Sequence, residues 1–206
     1  MRTQHHRVRS KIGDAGSGKV VTESRSVSGF DGLVVNGAGR VFIDRTGTES
    51  LAITTDDNML PYIVTEVRDG KLTIEFKSKV VPNHLKDLTF RLTVKDLNAI
   101  ELNGAVALEG MGIEASKMDV TISGAGSVKL AGKVDQLAVT LSGAGAHDSR
   151  GLESKRATVT NNGAGAAVVR VSDELNATIN GIGVIEYVGN PKVTKGVHGL
   201  GVVSQR

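Results

Sequence analysis

Three short stretches of this chain bring together residue types that can do chemistry. His147-Asp148-Ser149 holds the three side chains of a nucleophilic relay. Such a relay needs the carboxylate to orient the imidazole and the imidazole to take the hydroxyl proton. Neighbours on an extended chain point to opposite faces, so these three cannot close one hydrogen-bonded chain. Gly13-Asp14-Ala15-Gly16-Ser17-Gly18-Lys19 fills seven positions of a phosphate-binding loop, but Val20 stands where Ser or Thr would hold Mg²⁺. Val20-Val21-Thr22 reads as strand, which leaves no helix N-terminus to receive a phosphate. Asp56-Asp57, with Glu66 and Asp69, supplies carboxylates for glycoside hydrolysis or Ca²⁺ binding. Hydrolysis needs two carboxyls converging on one bond. Adjacent aspartates also miss the alternating-oxygen spacing of a Ca²⁺ loop. Asp56-Asp57-Asn58 before Met59-Leu60-Pro61 therefore reads as a turn. Asn176-Ala177-Thr178 matches a glycosylation sequon, yet its Thr occupies a regular repeat position. The expectation is no catalytic residue, no metal ligand and no cofactor.

Contact is a better use for one of these stretches. Residues 146–156 interrupt the hydrophobic rhythm with His147, Asp148, Arg150, Glu153, Lys155 and Arg156. That pattern predicts a polar, exposed arc, with His147, Asp148, Arg150 and Glu153 as its candidate contact surface.

The elements that carry this arc are repeats. VVNGAG (34–39), ELNGAV (101–106), TISGAG (121–126), TLSGAG (140–145), TNNGAG (160–165), TINGIG (178–183) and VHGLG (197–201) share one pattern. From Gly104 the first glycines advance by 20, 19, 20, 18 and 18 residues, through Gly124, Gly143, Gly163 and Gly181 to Gly199. A fixed period near 19 is a solenoid signature. At about 3.3 Å per residue, one period traces roughly 63 Å of extended chain, a plausible circumference for one β coil. Val120, Ile122, Val128, Leu130, Val134 and Leu137 supply an interior for it. The reading is an all-β parallel β-helix. The pairs Asn36-Gly37, Asn103-Gly104, Ser123-Gly124, Ser142-Gly143, Asn162-Gly163 and Asn180-Gly181 then stack in one turn ladder. Glycine is expected there for its freedom at positive φ. Asn and Ser are expected to hydrogen-bond along the axis.

The first hundred residues read differently. Phe30, Phe42, Tyr62, Phe76 and Phe90 lie before residue 100, while 17 of the 26 glycines lie after it. Asp69-Gly70 between Ile63–Arg68 and Lys71–Phe76 predicts a two-residue hairpin. Leu33–Ile43 should open the sheet system, and residues 51–94 should add partly antiparallel structure that caps one end. The other end runs out through Leu200-Gly201-Val202-Val203, so assembly with a second copy through the C-terminal coil is expected. The domain reading is a basic tail or expression remnant over 1–17 and one β-helix over 18–206. That helix divides into a cap portion at 18–99 and regular coils at 100–206.

Composition excludes several classes. With no cysteine among 206 residues, disulfides and thiolate metal sites are out. Nothing approaches 18 consecutive apolar residues, so no integral membrane span is expected. The net charge of +3 rests on Arg2, Arg7, Arg9 and Lys11; without them 21 basic side chains face 22 acidic ones. The body does not interleave basic and aromatic residues, so no nucleic-acid partner is expected. The first eighteen residues lack the apolar run of a signal peptide.

Ser28-Gly29-Phe30-Asp31, Asn36-Gly37-Ala38-Gly39, Asp56-Asp57-Asn58-Met59-Leu60-Pro61-Tyr62-Ile63 and Val67-Arg68-Asp69-Gly70-Lys71-Leu72, with the later Ser-Gly-Ala-Gly coils, carry a likeness. Over about residues 18–206 the chain resembles the autotransporter adhesin head GIN domain, a bacterial domain of unknown function. The resemblance implies a right-handed parallel β-helix in a secreted or envelope-attached protein, and it brings no catalytic residues. The leading functional expectation is a non-enzymatic surface module that binds a glycan or protein. A scaffold assembling through solenoid ends comes next. A carbohydrate-active enzyme using Asp56, Asp57 or the 146–156 arc comes last.

Overall fold

The computed structural model describes residues 15–77 and 84–206. Most of the tail predicted at 1–17, and the first two residues of the would-be phosphate loop, lie outside the described residues. Thirteen strands follow in order: β1 (Val20–Arg25), β2 (Gly32–Arg45), β3 (Ser50–Asp56), β4 (Ile63–Arg68), β5 (Lys71–Phe76), β6 (Leu88–Val94) and β7 (Ala99–Ile122). Then come β8 (Ser127–Leu141), β9 (Ala146–Asn161), β10 (Ala164–Ile179), β11 (Ile182–Val188), β12 (Lys192–Val197) and β13 (Leu200–Gln205). A 3₁₀ turn at Leu60–Tyr62 precedes β4.

Alternating apolar residues build the solenoid. Along β7 to β10, every coil lays its strand in parallel on the one before, so like residues align. Val120, Val139, Val159 and Ala177 make one interior column. Ile122, Leu141, Asn161 and Ile179 make the next. Each buried Val, Leu or Ile contributes roughly 1.5–3 kcal/mol relative to exposure. Register shifts at Gly110/Ile113 and Lys129/Ala131 turn the chain at a corner between two flat sides. β10 shows the result directly: its first half pairs with β11 and its second half with β12.

The N-terminal portion, read from sequence as a cap, mixes antiparallel and parallel pairs. Asp69 and Gly70 have φ of 50° and 74°, the left-handed pair that a two-residue turn requires between β4 and β5. β5 then joins the first half of β2 in parallel. The second half of β2 takes β6, and β3 and β1 continue that sheet antiparallel. The sheet system thus opens at β1, upstream of the expected Leu33. Arg25 ties its edge to the hairpin, donating from Nη1 to the Ile63 carbonyl at 2.7 Å and from Nη2 to the Leu60 carbonyl at 3.1 Å. At the far end, β12 pairs with β10 and β13 with β11, each along one edge.

At the repeated Asn/Ser-Gly positions the backbone is constrained by more than positive φ. Gly37 and Gly104 do lie at φ of 142° and 143°. At Gly124, Gly143, Gly163 and Gly181 the decisive constraint is the carbonyl of the preceding coil's glycine. A Cβ there would meet it at 2.1, 2.2, 2.1 and 2.0 Å. Backbones stack through these positions with no room for a methyl group. Side-chain amides join two steps of the column: Asn103 Nδ2 donates to Asn36 Oδ1 at 2.9 Å, and Asn180 Nδ2 to Asn162 Oδ1 at 2.7 Å.

Candidate functional site

Two of the stretches singled out for chemistry lie against each other. Gly18 N donates to Asp56 Oδ1 at 2.5 Å, Ser17 N to Asn58 Oδ1 at 2.9 Å and Ser17 Oγ to Asp57 Oδ1 at 2.6 Å. Asn58 Nδ2 returns a bond to the Ala15 carbonyl at 2.8 Å. The amides that a phosphate would need are therefore held by the Asp56 carboxylate and the Asn58 side-chain carbonyl. Asp56 is fully buried, and its second oxygen accepts from Lys86 N at 2.9 Å. Ser17, assigned to the tail from sequence, is part of this folded turn. The Ser17 hydroxyl, first, and then Lys19 hold the Asp57 carboxyl below its ordinary range.

The relay-like triplet is split between inside and outside, as its extended geometry requires. His147 and Ser149 point into the solenoid, and Asp148 points out. His147 is thus 2% exposed and does not belong to the contact surface expected of it. The reason lies in the register: its column runs Leu108, Val128, His147, Ala167, Ile185, Val203, so the ring fills an apolar position. Neither ring nitrogen has a hydrogen-bond partner. Burial pushes its pKa down to about 4, against a small opposing pull from Asp148.

The same coil turns three more polar groups inward. Ser149 Oγ donates to the Val168 carbonyl at 3.2 Å and Ser154 Oγ to the Arg170 carbonyl at 2.6 Å. Asn161 Nδ2 donates to the Gly165 carbonyl at 2.8 Å, while Asn161 Oδ1 accepts from Gly163 N at 3.1 Å. Sequence reading missed Asn161. Aligning TNNGAG with its sister repeats exposes it, because they carry Leu102, Ile122, Leu141 and Ile179 at that place.

Outside, the arc keeps Asp148, Arg150 and Glu153. Arg150 Nε donates to Asp148 Oδ1 at 2.9 Å, and its Nη2 binds Oδ2. Chiefly through these bonds, the Asp148 carboxyl is held below the usual carboxylate range. Glu153 is exposed beside a corner groove of about 650 Å³ that crosses four coils. Lys133, Lys155, Arg170, Ser172 and Asn190 also line it. Lys155 Nζ is paired with Asp135 at 2.8 Å. Among the described residues no group of three or more His, Asp or Glu could hold a metal ion. No described helix is long and apolar enough to cross a membrane.

No curated protein matches the chain. Several solved structures share its fold. A putative adhesin from Bacteroides fragilis superposes with a TM-score of 0.76 at 20% identity, over 94% of this chain and 100% of that one. A putative adhesin from Parabacteroides merdae gives 0.57 at 20%, over 94% and 98%. A putative lipid binding protein from Parabacteroides distasonis gives 0.54 at 20%, over 94% and 99%. At these identities the likeness is one of fold. A family model matches residues 29–191, and the chain belongs to that family, the putative auto-transporter adhesin, head GIN domain.

Proposed function

We propose that this domain is a non-enzymatic, adhesin-like module of the bacterial cell surface that holds a glycan or protein partner against the flank of its solenoid. One observation carries the reading: His147 is buried and Asp56, Asp57 and Asp148 are engaged, while a groove lined by Lys133, Glu153 and Arg170 stays open across four coils. Extended solenoid flanks suit such contacts, and family membership supports a surface location.

Protease shaving of cells expressing the intact native gene tests the location; release of the domain is expected. A screen of immobilised glycans, matrix proteins and bacterial surfaces tests the contact. Saturable binding is expected, weakened about tenfold by Lys133→Ala with Arg170→Ala, as loss of charge-assisted hydrogen bonds would give. Protection from protease, or an empty screen, would retire this reading.

The open edges of β12 and β13 favour a second reading, assembly through the C-terminal coil. Leu200 is 71% and Val202 57% exposed there, whereas Val203 is 8% exposed and belongs to the core. Charged residues at Leu200 and Val202 should abolish concentration-dependent association in sedimentation while the circular dichroism stays unchanged. Association that survives them counts against assembly at this end.

A further inference from the structure

One flat side of the solenoid carries an ordered array of small hydroxyl and amide groups. Thr121, Thr140, Thr160 and Thr178 align in successive coils. Two residues earlier in each strand the column is Asp119, Ala138, Thr158 and Asn176. Two residues later it is Ser123, Ser142, Asn162 and Asn180, all exposed. Strand propensity by itself does not choose threonine here. The outward columns of the opposite side, in the same coils, hold Ser127, Ala146, Ala166 and Val184, and Lys129, Asp148, Val168 and Glu186. The threonine column is a property of one face.

A shallow groove of about 360 Å³ runs along that face parallel to the solenoid axis. Lys117, Gln136, Arg156 and Glu174 form one wall, and Asp119, Thr158 and Asn176 line the groove with Ala138. Its two cations and two anions balance, and Lys117 Nζ is already paired with Asp119 Oδ2 at 2.8 Å. The corner groove differs: Lys133, Lys155 and Arg170 line it with Glu153 as the one lining acid, and of the three cations Lys155 is paired with Asp135. The threonine face therefore suits a neutral ligand. Hydroxyls and amides both donate and accept, which matches sugar hydroxyls. Coils stack at about 4.8 Å, on the order of the rise per ring of an extended polysaccharide.

Resting on the reading of this domain as a binding module, we infer that the threonine face binds a neutral, extended polysaccharide chain laid along the solenoid axis, successive sugars meeting successive coils. No aromatic ring stands in these columns, so recognition comes from repeated hydrogen bonds rather than ring stacking. Each contact is weak, and the regular spacing lets several act together.

The test is depletion of the full chain from solution by insoluble β-1,4-linked glucan and by chitin, with helical α-1,4-glucan and an anionic polysaccharide as comparisons. Depletion by the extended neutral polymers is expected. Thr140→Val with Thr160→Val preserves shape and strand propensity and should weaken binding about tenfold or more. Ala138→Phe, which fills the groove, should do the same, and Lys129→Ala on the opposite side should leave it unchanged. Equal binding by the threonine-to-valine variant, or preference for the anionic polymer, overturns the inference. If the domain binds a protein or another glycan in a manner sensitive to Arg170, the surface-module reading stands and the threonine face falls. If it binds nothing in either screen, both fall.

Discussion

The cap portion and the regular coils solve the same problem of burying a β-sheet with different means. In the cap, large side chains fill space: Phe30 and Phe90 are buried, and Phe42 packs under the Arg91 guanidinium at 4.9 Å. Side-chain bonds pin its loops, as where Glu49 accepts from Gly29 N at 2.9 Å and Phe30 N at 3.1 Å. In the coils buried rings are few, His147 and Tyr187 among the described residues, because each strand copies the one below and backbones approach until glycine alone fits. The cap tolerates irregularity. The coils gain order from repetition, and a fault in one coil is felt by both neighbours.

Glycine substitutions give the largest expected effect on this contrast. Gly163→Ala forces a Cβ to 2.1 Å from the Gly143 carbonyl, so the coils must part. It should cost on the order of 4 kcal/mol or prevent folding, as backbone overpacking does. Gly47→Ala in the cap meets nothing within 4 Å and pays for its φ of +81° alone, about 1 kcal/mol. Urea unfolding of the two variants measures the gap, and equal losses would erase the distinction.

Acid sharpens the comparison next. His147 is neutral in the fold with a pKa near 4, against an ordinary 6.5 in the unfolded chain. Its contribution is intact above pH 6.5 and declines as pH falls toward 4, because the unfolded chain takes up the proton first. The total is on the order of 3 kcal/mol. The cap's Glu49 and Asp87 have lowered pKa values, held mainly by the Phe30 amide and the Thr89 hydroxyl respectively, so their contributions fade at still lower pH. His147→Val, which restores the Val128 pattern, should flatten stability between pH 6.5 and 4. A slope that persists in this variant assigns the acid sensitivity elsewhere.

The smallest of these effects concerns the cap's edge. Asp56→Asn keeps the shape but weakens acceptance from Gly18 N and Lys86 N, for a loss of about 1–2 kcal/mol. Hydrogen exchange should quicken at Gly18 and Lys86 while the coil amides stay protected. Uniform quickening would instead make cap and coils one cooperative unit.

Much of this molecule is legible in one dimension because a solenoid repeats its contacts at fixed sequence intervals. The period of 18 to 20, the inward valines and leucines, the Asn/Ser-Gly column and the Asp69-Gly70 hairpin follow from spacing and local conformational preference. What a strand places inside depends on register, which no single repeat reveals. His147 looked like surface because its neighbours are polar; the column between Val128 and Ala167 puts it in the core. Val203 likewise lies inside, under the column of Ile185. Gly16-Ser17-Gly18 and Asp56-Asp57-Asn58 read as separate motifs, and the pairing of β1 with β3 closes them on each other across some 40 residues. The threonine face also belongs to the tertiary structure. Each threonine is an ordinary strand residue in its own repeat, and parallel stacking in register makes four of them a surface.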